Sequence, residues 1–138
     1  MKLTQLITIA LLTGVVLSCN AESNKTKEEK NTNEFQQTEE VEVYYFHNTR
    51  RCATCKAVES VTEEAVQEMD NKNVSFTALN VEKTEGEKKA KELGISGQTL
   101  LIAGGDKKFN ITQEGFLHAR SNPEKLKKII QEKIKSLH

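Results

Sequence analysis

The sequence predicts an α/β domain over residues 41–138: a four-stranded mixed sheet with three helices, in the order β-α-β-α-β-β-α. Three observations support this prediction. Two short segments rich in β-branched and aromatic residues are each followed by apolar residues at helical spacing. A Gly-Gly-Asp turn then joins two further strand-like segments. The chain ends in an amphipathic helix.

The first half of the domain has the pattern of a strand, a helix and a second strand. Residues 41–47, VEVYYFH, alternate imperfectly, which predicts a strand that is buried on both faces. From Ala53 onward, apolar residues at helical spacing predict a helix of about 17 residues. Residues 74–81 predict the second strand. A strand, helix and strand of these lengths favour a right-handed parallel crossover.

The second half begins with a short helix. Thr84 and Glu87 fit a capping box, and Gly94 suits the left-handed position that closes a helix. Residues 98–103 predict a third strand. After the glycine turn, residues 109–116 predict a fourth strand that returns antiparallel to the third.

The last predicted helix starts with a second capping box, Ser121 with Glu124, and Pro123 is tolerated in its first turn. Its buried face is predicted from apolar residues at helical spacing: Leu126, Ile129, Ile130, Ile134 and Leu137. We find no internal repeat, so residues 41–138 are expected to form one domain.

The amino terminus has the pattern of a signal peptide. Met1 and Lys2 precede a mostly apolar run from residue 3 to 17, which is shorter than the roughly 20 apolar residues of a comfortable membrane span. A single membrane helix is the alternative. The segment Val16-Leu17-Ser18-Cys19 resembles the bacterial lipobox. That resemblance implies a signal peptide over residues 1–18 and a diacylglyceryl thioether on Cys19.

A lipid on Cys19 implies a protein anchored to a bacterial membrane and facing the periplasm or the cell exterior; inner and outer membrane are both compatible with the sequence. Residues 19–40 have almost no aliphatic side chains after Cys19, which predicts a disordered tether. The chain carries 20 Lys and Arg and 20 Asp and Glu, for a net charge of +0. Because these charges are interleaved, nucleic-acid binding has no support. We expect a monomer.

Residues 50–56, RRCATCK, hold the two remaining cysteines, since the chain has 3 in all. Cys52 and Cys55 would lie on one face in the first turn of the first helix. Unpaired N–H groups of the helix start, together with Arg51 and Lys56, favour a thiolate on Cys52. We therefore assign Cys52 as the nucleophile. Cys55, one turn further and less exposed, would then form the redox disulfide with it.

Two other roles for the pair are weaker. A disulfide closing so short a loop restrains the unfolded chain little, so it is a poor structural crosslink. A Cys-x-x-Cys supplies only two of the four ligands of a structural zinc site, and no second pair exists. We therefore predict no metal site and no cofactor.

The order of elements, with Cys52-Ala53-Thr54-Cys55 after a hydrophobic strand, resembles the minimal thioredoxin fold over residues 41–138. More narrowly, residues 44–52 and the Gly97-Gln98-Thr99 segment resemble small bacterial thioredoxin-like proteins known as nitrophenyl compound nitroreductase subunits, some of which accompany arsenic-resistance genes. Gln98 stands where thioredoxins have a cis-proline. The resemblance implies that Gln98 and Thr99 face the cysteines and contact substrate backbone.

Thioredoxins also carry a buried acid in the first strand that assists the second cysteine, and Tyr45 and Phe46 occupy that region of this chain. Two functional hypotheses follow. The first is a thiol-disulfide oxidoreductase that exchanges electrons with an extracytoplasmic protein partner through Cys52 and Cys55. The alternative is a module that binds or delivers a soft metal or metalloid, such as arsenite or copper, on the same two thiols.

Overall fold

The computed structural model describes residues 40–138. The predictions for residues 1–39, including the signal peptide, Cys19 and most of the tether, lie outside the described residues. The elements, in chain order, are β1 (Val41–His47), α1 (Ala53–Gln67), β2 (Val74–Asn80), α2 (Thr84–Leu93), β3 (Thr99–Gly104), β4 (Lys107–Asn110), α3 (Thr112–His118) and α4 (Pro123–Lys135).

The four strands form one mixed sheet in the order β2-β1-β3-β4. β1 pairs in parallel with β2 and antiparallel with β3, and β3 pairs antiparallel with β4. The predicted parallel crossover through α1 and the predicted hairpin after β3 are therefore both present. The α/β class with a four-stranded mixed sheet is confirmed.

β1 is a central strand, and both of its faces are buried. Val43 and Tyr45 point into a core that they share with α1, α3 and α4. Tyr44 and Phe46 point to the opposite face, where they pack with Leu79 and the apolar residues of α2. Because successive side chains of a strand alternate between faces, a strand covered on both sides needs apolar side chains at successive positions, and Glu42 is the exposed exception in β1. This explains the imperfect alternation of its sequence.

The predicted fourth strand over residues 109–116 is wrong in extent, and the domain has four helices among its described residues instead of three. β4 ends at Asn110, whose Oδ1 accepts a hydrogen bond of 3.1 Å from the backbone N–H of Thr112. Leu100 N–H, on the neighbouring strand, donates to the Thr112 hydroxyl at 2.9 Å. Local side-chain bonds of this kind compete with a sheet ladder, so the strand gives way to α3.

The capping boxes predicted for α2 and α4 are also wrong, although both helices are present. The N-cap of α2 is Lys83, which makes no side-chain capping bond, and Thr84 is already helical. α4 is capped by Asn122, whose Oδ1 accepts from Lys125 N–H at 3.1 Å, with Pro123 in the first turn. The closing position of α2 is as predicted, since Gly94 has a φ of 71°.

The described helices include none that is both long and apolar enough to cross a membrane.

Gly86, in the first turn of α2, packs directly against the backbone at the end of β2. A Cβ atom at this position would lie 2.1 Å from the carbonyl oxygen of Asn80 at the end of β2. Gly86→Ala should therefore push α2 away from the sheet and lower the free energy of unfolding by about 2 to 3 kcal/mol. Urea denaturation of the full chain measures the change. Thr84→Ala, an exposed position in the same turn, is the control, and an unchanged unfolding midpoint for Gly86→Ala would contradict the packing described here.

Candidate functional site

The two cysteines of the domain lie where β1 gives way to α1. Cys52 is the N-cap residue of α1, with extended backbone angles, and it is exposed. Cys55 lies one turn into the helix and is buried, with 4% of its surface exposed. The Cys52 Sγ accepts a hydrogen bond of 3.2 Å from the backbone N–H of Cys55. Both thiols are free. One sulfur therefore meets solvent while the other is held beneath it.

Hydrogen bonds favour the thiolate form of Cys52. A bond with the Cys55 side chain is the largest cause that lowers the pKa of Cys52, followed by the backbone N–H of Cys55, with a smaller contribution from that of Thr54. Unpaired N–H groups at a helix start point toward the cap and stabilise negative charge there. The lowered pKa increases the fraction of Cys52 that is thiolate at neutral pH, and the thiolate is the nucleophilic form.

A hydrogen-bond network holds the loop that presents Cys52. Asn80 Nδ2 donates to the Thr49 hydroxyl at 2.9 Å, and the Thr49 backbone N–H donates to Glu82 Oε2 at 3.0 Å. Glu82 N–H in turn donates to Asn80 Oδ1 at 2.9 Å. The bonds from Thr49 lower the pKa of Glu82. Asn80 and Glu82 were not predicted; their polar side chains at and just after the end of the second strand are a signal that could have indicated them.

The segment before β3 brings one predicted contact residue to the cysteines. Gln98 is half-buried, and its Nε2 donates to the Cys55 Sγ at 3.6 Å. Gly97, with a φ of 79°, makes the turn that places it there. Thr99 is buried, and its hydroxyl bonds the carbonyl of Gly97 at 3.5 Å. The structure thus places Gln98 on the buried sulfur, whereas the Thr99 hydroxyl is occupied by its own loop.

The predicted cationic residues lie on the α1 side of the site. Arg51 forms an ion pair with Glu59, and its Cζ lies 5.9 Å from the centroid of the Tyr45 ring. Lys56 is exposed and lines a shallow surface pocket with both members of that ion pair. The Arg51 charge is therefore shared with a carboxylate and an aromatic ring.

Tyr45 lies under the site. Its side chain is completely buried, and its hydroxyl has no hydrogen-bond partner among the described residues. Burial raises the pKa of Tyr45, and Cys55 raises it further. The His47 ring is tilted against Tyr45 at 5.9 Å between centroids, and its Nδ1 lies 3.0 Å from the Asn48 carbonyl.

Residues 40–138 contain no group of three or more His, Cys, Asp or Glu side chains placed to hold a metal ion. Within that range, any soft ion would have to rely on the two thiols or bring ligands of its own.

Strand order, strand directions and a cysteine pair at the start of the first helix together decide the fold. They match the thioredoxin-like arrangement that the sequence predicts. No protein-family profile matches the chain, and no curated protein matches it. Among solved structures, the thioredoxin-like domain is similar to oxidised mitochondrial thioredoxin 3 from Saccharomyces cerevisiae, with 22% identity, 69% of this chain and 80% of that chain covered, and a TM-score of 0.44.

The hydrogen bonds on Cys52 predict its titration in the thioredoxin-like domain. Alkylation of Cys52 across a pH series should reach half its maximal rate below the value of about 8.5 of a free cysteine, because the folded site stabilises the thiolate. Cys55→Ala removes the side-chain bond that contributes most, so the midpoint should move back upward.

The measurement is best made by thiol mass labelling in a Cys19→Ser background, so that only sulfurs of the domain react. The denatured protein is the internal control, since it lacks the helix start. Equal midpoints for folded and denatured protein would show that the helix start does not activate Cys52.

Proposed function

We propose that the protein is a thiol-disulfide oxidoreductase that uses Cys52 and Cys55 as its redox pair. The observation that supports this most is the pairing of an exposed sulfur of lowered pKa with a buried sulfur one helical turn away. The first can attack a disulfide of a partner, and the second can resolve the product.

The proposed reaction transfers two electrons between the protein and its partner. The Cys52 thiolate attacks a partner disulfide, forms a mixed disulfide and releases one partner sulfur as a thiolate. The Cys55 sulfur, after losing its proton, then attacks Cys52 and displaces the second partner sulfur. The partner has gained two electrons, and the protein now carries the Cys52–Cys55 disulfide. The same steps in reverse oxidise a partner dithiol.

The surroundings of the sulfur favour a protein as the partner. Cys52 is exposed, and exposed Arg50 and Lys56 flank it in sequence. Basic residues near the Cys52 sulfur would favour a partner protein whose disulfide lies on an acidic surface, because opposite charges promote encounter.

We further propose that the protein works outside the cytoplasm, attached to a membrane through lipid on Cys19. The support is the lipobox-like segment that ends at Cys19. An extracytoplasmic compartment permits protein disulfides, which the cytosol largely prevents, so it would supply the partners that this chemistry needs.

A turnover assay tests the redox function. The wild-type protein should catalyse reduction of a protein disulfide by dithiothreitol, and Cys52→Ser should abolish catalysis because it removes the nucleophile. Cys55→Ser should instead accumulate a mixed disulfide on Cys52, since nothing resolves it; non-reducing electrophoresis and mass spectrometry detect this species.

Two results would contradict the oxidoreductase. One is catalysis by Cys52→Ser at the wild-type rate. The other is tight 1:1 binding of arsenite or Cu(I) by the reduced protein without any disulfide reduction, which favours the alternative of soft-ion binding.

Membrane attachment has its own test. Cys19→Ser should move the protein from the membrane fraction to the soluble fraction, because the lipid site is lost. Cys52→Ser is the matched control and should stay with the membrane. The proposal fails if both variants fractionate alike.

A further inference from the structure

Tyr45 presents an unexplained feature. Its side chain has no exposed surface, yet its hydroxyl lacks a hydrogen-bond partner among the described residues. A buried polar group without a partner is rare in folded proteins and calls for a functional or structural reason. A phenylalanine would fill the same space without this cost, so packing alone does not account for the hydroxyl.

The position of the ring puts the hydroxyl near the redox pair. Tyr45 points to the face of the sheet that α1 covers, and α1 carries both cysteines at its start. Among its ionisable neighbours, Cys55 has the largest effect on the pKa of Tyr45, and Cys52 also contributes. Arg51 lies over the ring and His47 lies beside it.

A second donor already reaches the buried sulfur. Gln98 Nε2 donates to the Cys55 Sγ at 3.6 Å from the segment before β3. The Cys55 sulfur is therefore approached by an amide from one side, and the Tyr45 O–H lies on the α1 face of the sheet without a hydrogen-bond partner that meets the usual distance among the described residues. Both groups are neutral donors, and a thiolate is a better acceptor for them than a thiol or a disulfide sulfur.

We propose that the Tyr45 hydroxyl and the Gln98 amide form a two-donor site that stabilises the Cys55 sulfur when it leaves the Cys52–Cys55 disulfide as a thiolate. This inference rests on the proposed redox function and names the groups that control one of its steps.

The step involves the oxidised protein and a dithiol. A thiolate of the dithiol attacks the exposed Cys52 sulfur and forms an S–S bond with it, and the Cys52–Cys55 bond breaks. The electron pair of the broken bond stays on the Cys55 sulfur, where the two donors stabilise the charge until a proton arrives from solvent. The second thiol of the reductant, once deprotonated, then displaces Cys52, which leaves the reductant oxidised and the protein a dithiol.

The phenol suits this role because it remains protonated. Burial raises the pKa of Tyr45, and the neighbouring sulfurs raise it further. The hydroxyl therefore acts as a donor throughout the physiological range and does not serve as a base.

Tyr45→Phe tests the proposal, because it removes the donor and keeps the ring. The full-length oxidised protein is reduced with dithiothreitol under stopped flow, and the equilibrium with glutathione is measured separately. We expect reduction to slow about 3- to 10-fold, the usual size of one hydrogen-bond deletion, and the equilibrium constant to change by less, because Cys55 of the reduced protein has regained its proton and is a weaker acceptor.

The chain provides a matched control in Tyr44. Its hydroxyl is also buried without a partner among the described residues, but it lies on the opposite face of the sheet, against α2. Tyr44→Phe removes the same atom from the same strand and should leave both measurements at the wild-type values. Gln98→Ala removes the other donor from a half-buried loop position and should slow reduction in the same direction as Tyr45→Phe.

The outcomes are distinguishable. Wild-type behaviour of Tyr45→Phe overturns the proposal, and so does equal slowing in Tyr45→Phe and Tyr44→Phe, which would mark a general packing effect. If Tyr45→Phe does not fold, an unchanged rate in Gln98→Ala overturns the two-donor site. A wild-type protein that forms no reversible disulfide overturns the proposed function itself, and this inference with it.

Discussion

The domain depends on one contact at the start of α1, where the Cys52 sulfur accepts the backbone N–H of Cys55. This bond satisfies one of the helix's free donors, and it stabilises negative charge on the sulfur that solvent reaches. Serine, aspartate or asparagine would be a stronger cap, so the helix gives up some stability at its first turn to hold a reactive atom there. The same backbone bond therefore caps the helix and contributes to the activation of the thiol.

The position of that contact is fixed by β1, because neighbouring strands and helices enclose this strand. The strand pairs with β2 and β3 along its edges and is covered by helices on both faces. The alternation of side chains sends Tyr45 toward the cysteines and Tyr44 away from them. At the end of the strand, the bonds among Thr49, Asn80 and Glu82 hold the loop that leads to Cys52. A central strand with a fixed loop is a rigid support for a sulfur on the surface.

Sequence patterns predicted the elements whose apolar residues recur at regular strand or helix spacing. β1, the start of α1, the parallel crossover and the cysteine pair follow from apolar spacing and from the Cys-x-x-Cys. The patterns failed where local side-chain bonds decide between two structures: Asn110 and Thr112 end β4 and begin α3, whereas the glycine turn predicted a strand over residues 109–116. Gln98 was predicted by resemblance, but its bond to Cys55 depends on a turn at Gly97. Tyr45 lies in β1 and Cys55 lies in α1. Periodicity describes each element separately, so it could not predict that these two residues are neighbours.

The route of the chain between α2 and β3 has a mechanical consequence. α2 covers the face of the sheet opposite to the cysteines, and two glycines with left-handed backbone angles, Gly94 and Gly97, carry the chain from its end to Gln98. The amide that touches the Cys55 sulfur is thus anchored in the far layer of the domain. Because this connection is short, a displacement of α2 would change the distance between the Gln98 amide and the Cys55 sulfur.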